Sequence, residues 1–568
     1  MSSSAVAVPA VLPVPREAAW TGRRVRAAGD GAEEVVVDGR RAGGAEGYRL
    51  EVEEGRIRIW AGGSAGEFYA RQTLAQVRAQ SPEGWLPEGW VEDVPAFAER
   101  GYYLDISRGR VPRLAMLKRK VRMLAQLKFN QLYLYFEHPF RFAFDPDIAG
   151  DGDAFSAEDV RELDAACREV QVELVPSFSC FGHLGRVLSL PAYRALAEVE
   201  FPAENWAAAT WKQRLRGATL DAQQPESREL LRRMLDEFLL CFSSRRFHMC
   251  GDETYDLGRR RGVRGAAELA ALYVRHVEWV REQAARHGKS LQLWGDMCRH
   301  HPAALEGLSR EIEIMDWAYF PSNAIDGGRF FRGYGHPVAV APSVRAFGAV
   351  FPAAGEARAV MARHAREGLA AGAGGYVLTD WGDGGHFAMP PCSVHGLAWG
   401  AQMAWNPAGG TGAAAEAEVT RAFSRWAFGT DDTAPADGFE AAGGLPPSLT
   451  VWPMTPMGGI PAGCTAPAAP CSPEAARAIA GRMEAVAHLF STLPPGGCLD
   501  GEDCAQLALA CGFLEFAAQW AAGEDPKRLR ERLDALEKAY AGHWLQESQP
   551  RGLVEMHDRG FMPIRRRL

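Results

Sequence analysis

The sequence predicts an α/β protein built around a (β/α)8 TIM barrel, with a small α+β domain before it and a helical region after it. Three observations predict this. Eight short apolar segments alternate with helical or loop segments, a pattern typical of a closed parallel barrel. Shorter alternating segments precede them, and strand patterns stop after residue 410. The predicted bounds are 1–95, 96–410 for the barrel, 411–474 for a Pro/Gly-rich connection and 475–568 for the helical region.

The small N-terminal domain is predicted from three alternating apolar segments, at residues 35–37, 48–52 and 57–60. The last two are separated by a Glu-Gly pair that is typical of a hairpin turn. In the following segment, Phe68, Leu74 and Val77 keep a helical period. Strands followed by a helix in one short segment indicate an α+β module.

The barrel is predicted to begin with the strand GYYLDIS and a helix from Pro112 to Leu127. The other seven predicted strands are QLYLYF, VELVPSF, RRFHMC, LQLWG, EIEIMDW, HPVAVAP and GGYVLTDW. An open doubly wound sheet is the alternative architecture. The first strand lacks the glycine-rich turn of a dinucleotide-binding sheet, which favours the barrel.

The composition excludes several classes of partner. The chain has 568 residues and a net charge of −8, which argues against nucleic acid or an anionic membrane surface as a partner. The sequence contains no run of about 18 apolar residues, so it predicts no membrane span. The N-terminal segment lacks a basic start and is broken by Pro9, Pro13 and Pro15, so it makes a poor signal peptide.

The eleven cysteines form no Cys-x-x-Cys pair and no cluster with zinc-ligand spacing. We therefore expect buried free thiols, no metal site and a cytoplasmic location. The C-terminal helices carry no chemistry that the sequence reveals, and they leave two roles open, covering the barrel or forming a homo-oligomer.

Polar residues recur where the predicted strands end, which in a barrel of this kind is the end that carries the chemistry. The strand ends are followed by Ser107 and Arg108, Glu137 and His138, His183, Asp252 and Glu253, Asp296, Asp316, Asp380 and Asp383. Their recurrence at one end of successive strands predicts an active site there.

Asp252 and Glu253 are the sharpest candidates for catalysis. Consecutive residues of a strand face opposite sides, so both reach one pocket only where the strand has ended, and Gly251 permits that bend. Two carboxylates at one site separate their pKa values, so that one serves as an acid while the other stays ionised. Glycosidic bond cleavage uses such a pair. The alternative is chance, because the chain holds 71 acidic residues.

Three tryptophans, Trp294, Trp317 and Trp381, fall at predicted strand ends. An indole there would stack on the apolar C–H face of a sugar ring, which favours a carbohydrate ligand. The alternative is that each is a core residue, since tryptophan is heavily buried on average.

The segments RGYYLDISRGRVP, FGH after the VPSF strand, HMCGDE and TDWGDGGH, in this order, resemble glycoside hydrolase family 20, the β-N-acetylhexosaminidases. The resemblance covers about residues 45–410. It implies a retaining mechanism in which the 2-acetamido oxygen of the substrate attacks the anomeric carbon, an exception to the scheme with an enzymic nucleophile. It also implies that no cofactor is needed.

The resemblance implies roles for individual residues. Glu253 would be the general acid and base, and Asp252 would orient the acetamido N–H. Arg100 would hold the hydroxyls of the terminal sugar. The other residues that the resemblance places at the substrate are Glu137, His183, Trp294, Trp317, Trp381 and Asp383.

Two departures from the family pattern stand out. The position of Asp383 more often carries Glu, and a tyrosine that binds the acetamido oxygen is missing from HPVAVAPSVRAF, with Tyr319 as the candidate replacement. The expected activity is the exo-acting release of terminal β-linked N-acetylglucosamine or N-acetylgalactosamine from an oligosaccharide or glycoconjugate. The alternatives are a barrel glycosidase with a carboxylate nucleophile and a catalytically silent carbohydrate-binding barrel.

Overall fold

The computed structural model describes residues 8–26, 33–150, 153–200, 216–450 and 472–568. The N-terminal domain is a five-stranded sheet in the order β1-β5-β3-β4-β2, covered on one face by the helix Ser64–Ala79. Its strands are β1 (Glu17–Arg26), β2 (Glu33–Val37), β3 (Tyr48–Glu53), β4 (Arg56–Ala61) and β5 (Trp85–Asp93). The predicted α+β module is therefore present, and the sequence pattern missed its strands β1 and β5.

Eight parallel strands close into the predicted barrel, in the order β10-β11-β12-β13-β6-β7-β8-β9. They are β6 (Glu99–Asp105), β7 (Gln131–Phe136), β8 (Glu173–Phe178), β9 (Arg246–His248), β10 (Ser290–Trp294), β11 (Glu313–Trp317), β12 (Val338–Ala341) and β13 (Gly375–Asp380). Each falls within, or overlaps, one predicted apolar segment. The open-sheet alternative is wrong, because β13 pairs with β6 over six residue pairs and closes the cylinder.

Helices connect the strands and cover the barrel. The longer ones are Leu114–Gln126, Ala157–Glu169, Pro225–Phe238, Ala266–Arg286, Ala354–Ala371 and Val394–Trp405, and the shorter ones are Gly185–Leu188, Asp296–His300, Ala303–Gly307 and Arg329–Gly333. The side chains that they bury against the outside of the strands form one continuous hydrophobic core.

The interior of the barrel is filled by large side chains and is not a channel. The Tyr103 ring lies 5.0 Å from that of Trp294 and 5.5 Å from that of Tyr133. The Tyr103 hydroxyl is 2.7 Å from that of Ser177. Because this packing fills the centre, any ligand of the barrel must bind above it, where the loops follow the carboxyl ends of the strands.

The region after the barrel differs from the prediction. Within the predicted connection 411–474, the structure has the helices Ala413–Phe428, Ala434–Gly443 and Pro447–Thr450. The first of these helices buries an apolar stripe of Val419, Phe423 and Trp426. Glycines 409, 410 and 412 directly before it favoured the prediction of a loop there. Residues 451–471 lie outside the described residues.

The C-terminal region is helical, as predicted. Its helices are Pro473–Thr492, Gly501–Ala521, Pro526–Glu547, Arg551–Met556 and Met562–Arg565, with a π-helical turn at His557–Phe561. It packs on the barrel through Arg110, whose guanidinium lies 3.9 Å from the Trp544 ring and donates to the Tyr540 hydroxyl. None of the helices in the described parts of the chain combines the length and apolar character of a bilayer span.

Candidate active site

The backbone after β9 turns so that two consecutive carboxylates point the same way. Cys250, Gly251 and Glu253 have φ angles of +64°, +82° and +49°. These left-handed conformations cost energy for residues other than glycine and are typical of functional sites. As a result Asp252 Oδ2 and Glu253 Oε2 each lie 3.2 Å from Nε2 of His183.

His183 and Asp252 hold each other in their charged forms. Burial would lower the pKa of His183, but the neighbouring Asp252 carboxylate outweighs it and raises the pKa well above its ordinary value. Burial conversely opposes ionisation of Asp252, yet the His183 charge holds its pKa below the usual range. Asp252 Oδ1 is buried and has no hydrogen-bond partner among the described residues. This oxygen is the acceptor that the pair offers to a ligand.

Asp296 belongs to the same site, although the sequence analysis gave it no role beyond its position at a strand end. Its Oδ2 accepts a hydrogen bond of 3.0 Å from the backbone N–H of Glu253. Burial, and then the charge of Asp252, raise its pKa well above the ordinary value. Asp296 therefore fixes the strained backbone of Glu253, and its own ionisation is opposed by burial and by the Asp252 carboxylate.

Arg108 binds three carboxylates in the same pocket, and its Nη2 lies 3.5 Å from Nδ1 of His183. Its guanidinium nitrogens lie 3.0 Å from Asp105, 3.2 Å from Glu137 and 3.2 Å from Asp383. The same group lies 5.2 Å from the centre of the Trp381 ring. Burial raises the pKa of Glu137, and it raises that of Asp383 to about 6, against the attraction of Arg108.

The aromatic side chains form a connected set around Trp381. The Trp381 indole N–H donates a 2.8 Å hydrogen bond to the Tyr319 hydroxyl, and the Tyr319 ring stacks on Trp317 at 5.0 Å. Trp294 lies 5.9 Å from Trp381 but is only 1% exposed, and its ring packs on Tyr103 and His248. Trp294 therefore supports the pocket from the barrel interior, while Trp317, Tyr319 and Trp381 are closer to its mouth.

The assignment of Arg100 to this pocket is wrong. Arg100 is the second residue of β6, so it lies at the amino end of the strand, and it is 1% exposed. Its guanidinium binds the carboxylate of Glu46, the Tyr69 hydroxyl and the carbonyl of Lys128. It joins the N-terminal domain to the barrel. Arg108, which follows the carboxyl end of the same strand, takes the place in the pocket, and its position after the strand is the signal that identifies it.

Two other acidic residues at strand ends do not join the site. Asp316 forms an ion pair with Arg299, and Asp380 accepts a hydrogen bond from Tyr102 on the outer face of the barrel. Among the described residues, His183, Asp252 and Glu253 are a group whose ligand atoms lie within 4.8 Å of one another. A metal ion could bind there only by displacing the proton of His183, because a protonated imidazole is not a ligand.

Comparisons with known proteins agree on one family. Residues 13–94 match the model of glycosyl hydrolase family 20, domain 2, and residues 97–343 match that of the glycosyl hydrolase family 20 catalytic domain. Together the two models span more than half of the chain. They cover the N-terminal sheet and the barrel as far as β12.

Similar proteins carry names of the same kind. A beta-hexosaminidase of Porphyromonas gingivalis is 24% identical over 52% of this chain and 40% of its own length. The human protein hexosaminidase D is 26% identical over 39% of this chain and 45% of its own. The chain thus spans less than half the length of these relatives.

Solved structures share the fold. A GH20 exo beta-N-acetylglucosaminidase from Vibrio harveyi superposes with a TM-score of 0.59 at 14% identity, over 74% of this chain and 78% of its own. The chitobiase of Flavobacterium johnsoniae gives a TM-score of 0.58 at 15% identity and covers 92% of this chain and 95% of its own. The second likeness extends beyond the barrel and the N-terminal sheet.

Proposed function

Because this chain belongs to glycoside hydrolase family 20, we propose that it is an exo-acting retaining β-N-acetylhexosaminidase with substrate-assisted catalysis. Its substrates would be oligosaccharides or glycoconjugates that end in β-linked N-acetylglucosamine or N-acetylgalactosamine. The observation that carries the proposal is the meeting of Asp252 and Glu253 at one imidazole, with one buried oxygen of Asp252 left as an acceptor.

In the first step, the acetamido oxygen attacks the anomeric carbon while Glu253 gives its proton to the glycosidic oxygen. The bond to the leaving group breaks, and an oxazolinium ion forms on the sugar. Asp252 accepts the acetamido N–H and stabilises the positive charge that develops there. In the second step, Glu253 takes a proton from water, which attacks the anomeric carbon and reopens the ring with net retention.

The environments of Asp252 and Glu253 support their separate roles as ionised acceptor and as general acid and base. His183 keeps Asp252 ionised, as an acceptor and a negative charge must be. Glu253 is the more exposed of the two, with 21% of its side chain accessible against 13% for Asp252, so it can meet the leaving group and then water. Tyr255, whose exposed side chain brings its hydroxyl to 3.5 Å from Glu253, is the residue that we propose to contact the leaving group.

The exo mode of action follows from the group around Arg108. Arg108, Glu137 and Asp383 are a charged donor and two charged acceptors beside an indole, which suits the free hydroxyls of a terminal sugar. A chain that continued beyond these hydroxyls would have to displace them. Tyr319, which accepts the hydrogen bond of Trp381, keeps its own proton to donate to the acetamido oxygen.

Arg100 and Arg108 should respond differently to the same substitution, because only Arg108 lies in the pocket. Arg108→Lys is expected to lower kcat/KM by ~10²-fold, because an ammonium cannot serve three carboxylates and a sugar together. Arg100→Lys is expected to destabilise the fold by about 3–5 kcal/mol, because buried acceptors lose their donor. Michaelis kinetics and denaturant unfolding of both variants test this. The expectation would be contradicted if Arg108→Lys had normal kinetics and a lower stability. It would also be contradicted if Arg100→Lys had a normal stability and a lower kcat/KM.

A second prediction concerns pH. The raised pKa of Asp383, about 6, means that this carboxylate loses its charge as the pH falls through 6. We expect kcat/KM to decline below that pH with a slope approaching one, because neutral Asp383 binds both Arg108 and the sugar hydroxyl less well. In Asp383→Asn the activity should be low and the inflection absent. An unchanged inflection in this variant would assign it to another group.

The location that we propose is the cytoplasm, where imported oligosaccharides would be broken down. The described cysteines support this, since all nine are unpaired and eight are buried. Cys464 and Cys471 lie outside the described residues.

A further inference from the structure

The C-terminal helices reach the rim of the barrel next to the candidate site. Gly109, which follows Arg108 in sequence, lies so close to Gly552 that a side chain on Gly552 would overlap its carbonyl. Met556 packs on the same Gly109 and on Gly385, in the loop that carries Asp383. The short helix Arg551–Met556 therefore forms part of the wall around the pocket.

Two guanidinium groups converge at this wall. Arg186 lies on the helix Gly185–Leu188, three residues after His183, and Arg551 begins the short C-terminal helix. A Cβ atom on Gly150 would lie 2.5 Å from Nη1 of Arg551 and 3.0 Å from Nη2 of Arg186. Gly150 has a φ of +69° and no side chain, so both guanidinium groups can converge against its Cα.

The described carboxylates near this pair form no ion pair with the two arginine side chains. Within the described ranges, neither the Arg186 nor the Arg551 side chain forms an ion pair. Glu555 pairs with Arg559, and Asp153 accepts the backbone N–H groups of residues 551 and 552. The two arginines thus converge with an excess of positive charge that Glu555, Glu137 and Asp153 offset only from beyond ion-pair distance.

The neighbouring groups respond to that excess charge. Burial, and then the charge of Arg551, lower the pKa of Arg186. Burial and the same two arginines hold the pKa of His138 well below its ordinary value, so the imidazole is neutral. An unneutralised pair of this kind is unfavourable unless an anion joins it.

We propose that Arg186 and Arg551 form a binding site for an oxyanion, either a sulfate or phosphate ester on the substrate or the free inorganic ion. Guanidinium groups are the side chains best suited to hold such groups through paired hydrogen bonds. One arginine comes from the barrel and the other from the C-terminal region, which gives that region a role in ligand selection. The ester source rests on the proposed function, whereas the free ion does not.

The ester would belong to the terminal sugar. The pair lies beside Glu137 and His138, on the side of the pocket where Arg108 and its carboxylates would hold the hydroxyls of that sugar. A charged ester on a hydroxyl near Glu137 could reach the two guanidinium groups without moving the reacting centre.

Binding of inorganic sulfate, by isothermal titration at constant ionic strength, tests the site without any enzyme assay. Arg186→Gln and Arg551→Gln should each weaken sulfate binding at least tenfold. Arg366→Gln, at an arginine with 67% of its side chain exposed, should bind as the wild type does. Wild-type protein that binds no sulfate, or variants that bind it as well as wild type, would overturn the proposal.

The source of the anion is then tested by kinetics. The quantity to compare is the ratio of kcat/KM for a 6-sulfated aryl N-acetylglucosaminide to kcat/KM for the unsulfated compound. We expect this ratio to be at least tenfold higher in wild type than in Arg551→Gln. An unchanged ratio with intact sulfate binding would support the site and assign it to the free ion. No turnover of either compound would refute the proposed function, while the sulfate titration would still decide on the site.

Discussion

Glu253→Gln is expected to lower kcat for a 4-methylumbelliferyl N-acetylglucosaminide by ~10²–10⁴-fold, the range for loss of a general acid and base. The amide keeps the size of the side chain and can still lie beside His183, but it cannot give a proton to the glycosidic oxygen or take one from water. KM should change little, because the terminal sugar is held by other groups. Steady-state kinetics of wild type and variant measure the effect.

The dependence on the leaving group distinguishes loss of proton transfer from a distorted site. A 2,4-dinitrophenyl glycoside leaves without protonation, so its release by Glu253→Gln should be impaired much less than that of the methylumbelliferyl compound. Glu229→Gln, on the exposed face of the helix Pro225–Phe238, is the matched control and should behave as wild type. Equal losses for both leaving groups would mean that Glu253 is not the acid. Full activity of Glu253→Gln would refute its role as the general acid and base, whereas no turnover by the wild type would favour the silent binding barrel.

Asp252→Asn is expected to lower kcat by ~10²–10³-fold while binding of the product N-acetylglucosamine persists. The amide turns an ionised acceptor into a group that can offer its N–H to the acetamido N–H. It also removes the negative charge that would face the oxazolinium ion. The defect should therefore concern the transition state, with KM changing less than kcat.

The same variant has an effect that does not depend on turnover. Because the Asp252 carboxylate raises the pKa of His183, Asp252→Asn should lower that pKa, as measured by NMR titration of the imidazole. Asp431→Asn, at an exposed carboxylate paired with Arg425, should leave it unchanged. Normal turnover by Asp252→Asn, or a His183 titration identical to that of wild type, would refute the role of Asp252.

The barrel could be predicted because its strands are continuous apolar segments buried on both faces. QLYLYF coincides with β7 to the residue. By contrast, β1 (EAAWTGRRVR) is mostly exposed and rich in charge, so it has no such pattern, and it is held by its ladder with β5 and by the contacts of Thr21 and Arg23 with Glu88. Its existence depends on tertiary contacts that a local pattern does not contain.

The candidate site was only partly predictable for a similar reason. Asp252, Glu253 and His183 are visible in sequence because each follows a strand. Arg100 and Arg108 lie in one motif, eight residues apart, and only the direction of β6 decides which arginine reaches the pocket. Arg551 could not be placed at all, since nothing local connects residue 551 with the barrel rim.

We propose that the acetamido oxygen of the substrate is the nucleophile, and a series of fluorinated substrates measures its part in the reaction. Aryl glycosides carrying N-acetyl, N-fluoroacetyl, N-difluoroacetyl and N-trifluoroacetyl groups differ in the electron density of that oxygen and little in size. We expect kcat/KM to fall steeply with each added fluorine. A rate that stays constant along the series would contradict it and would point to an enzymic carboxylate as the nucleophile.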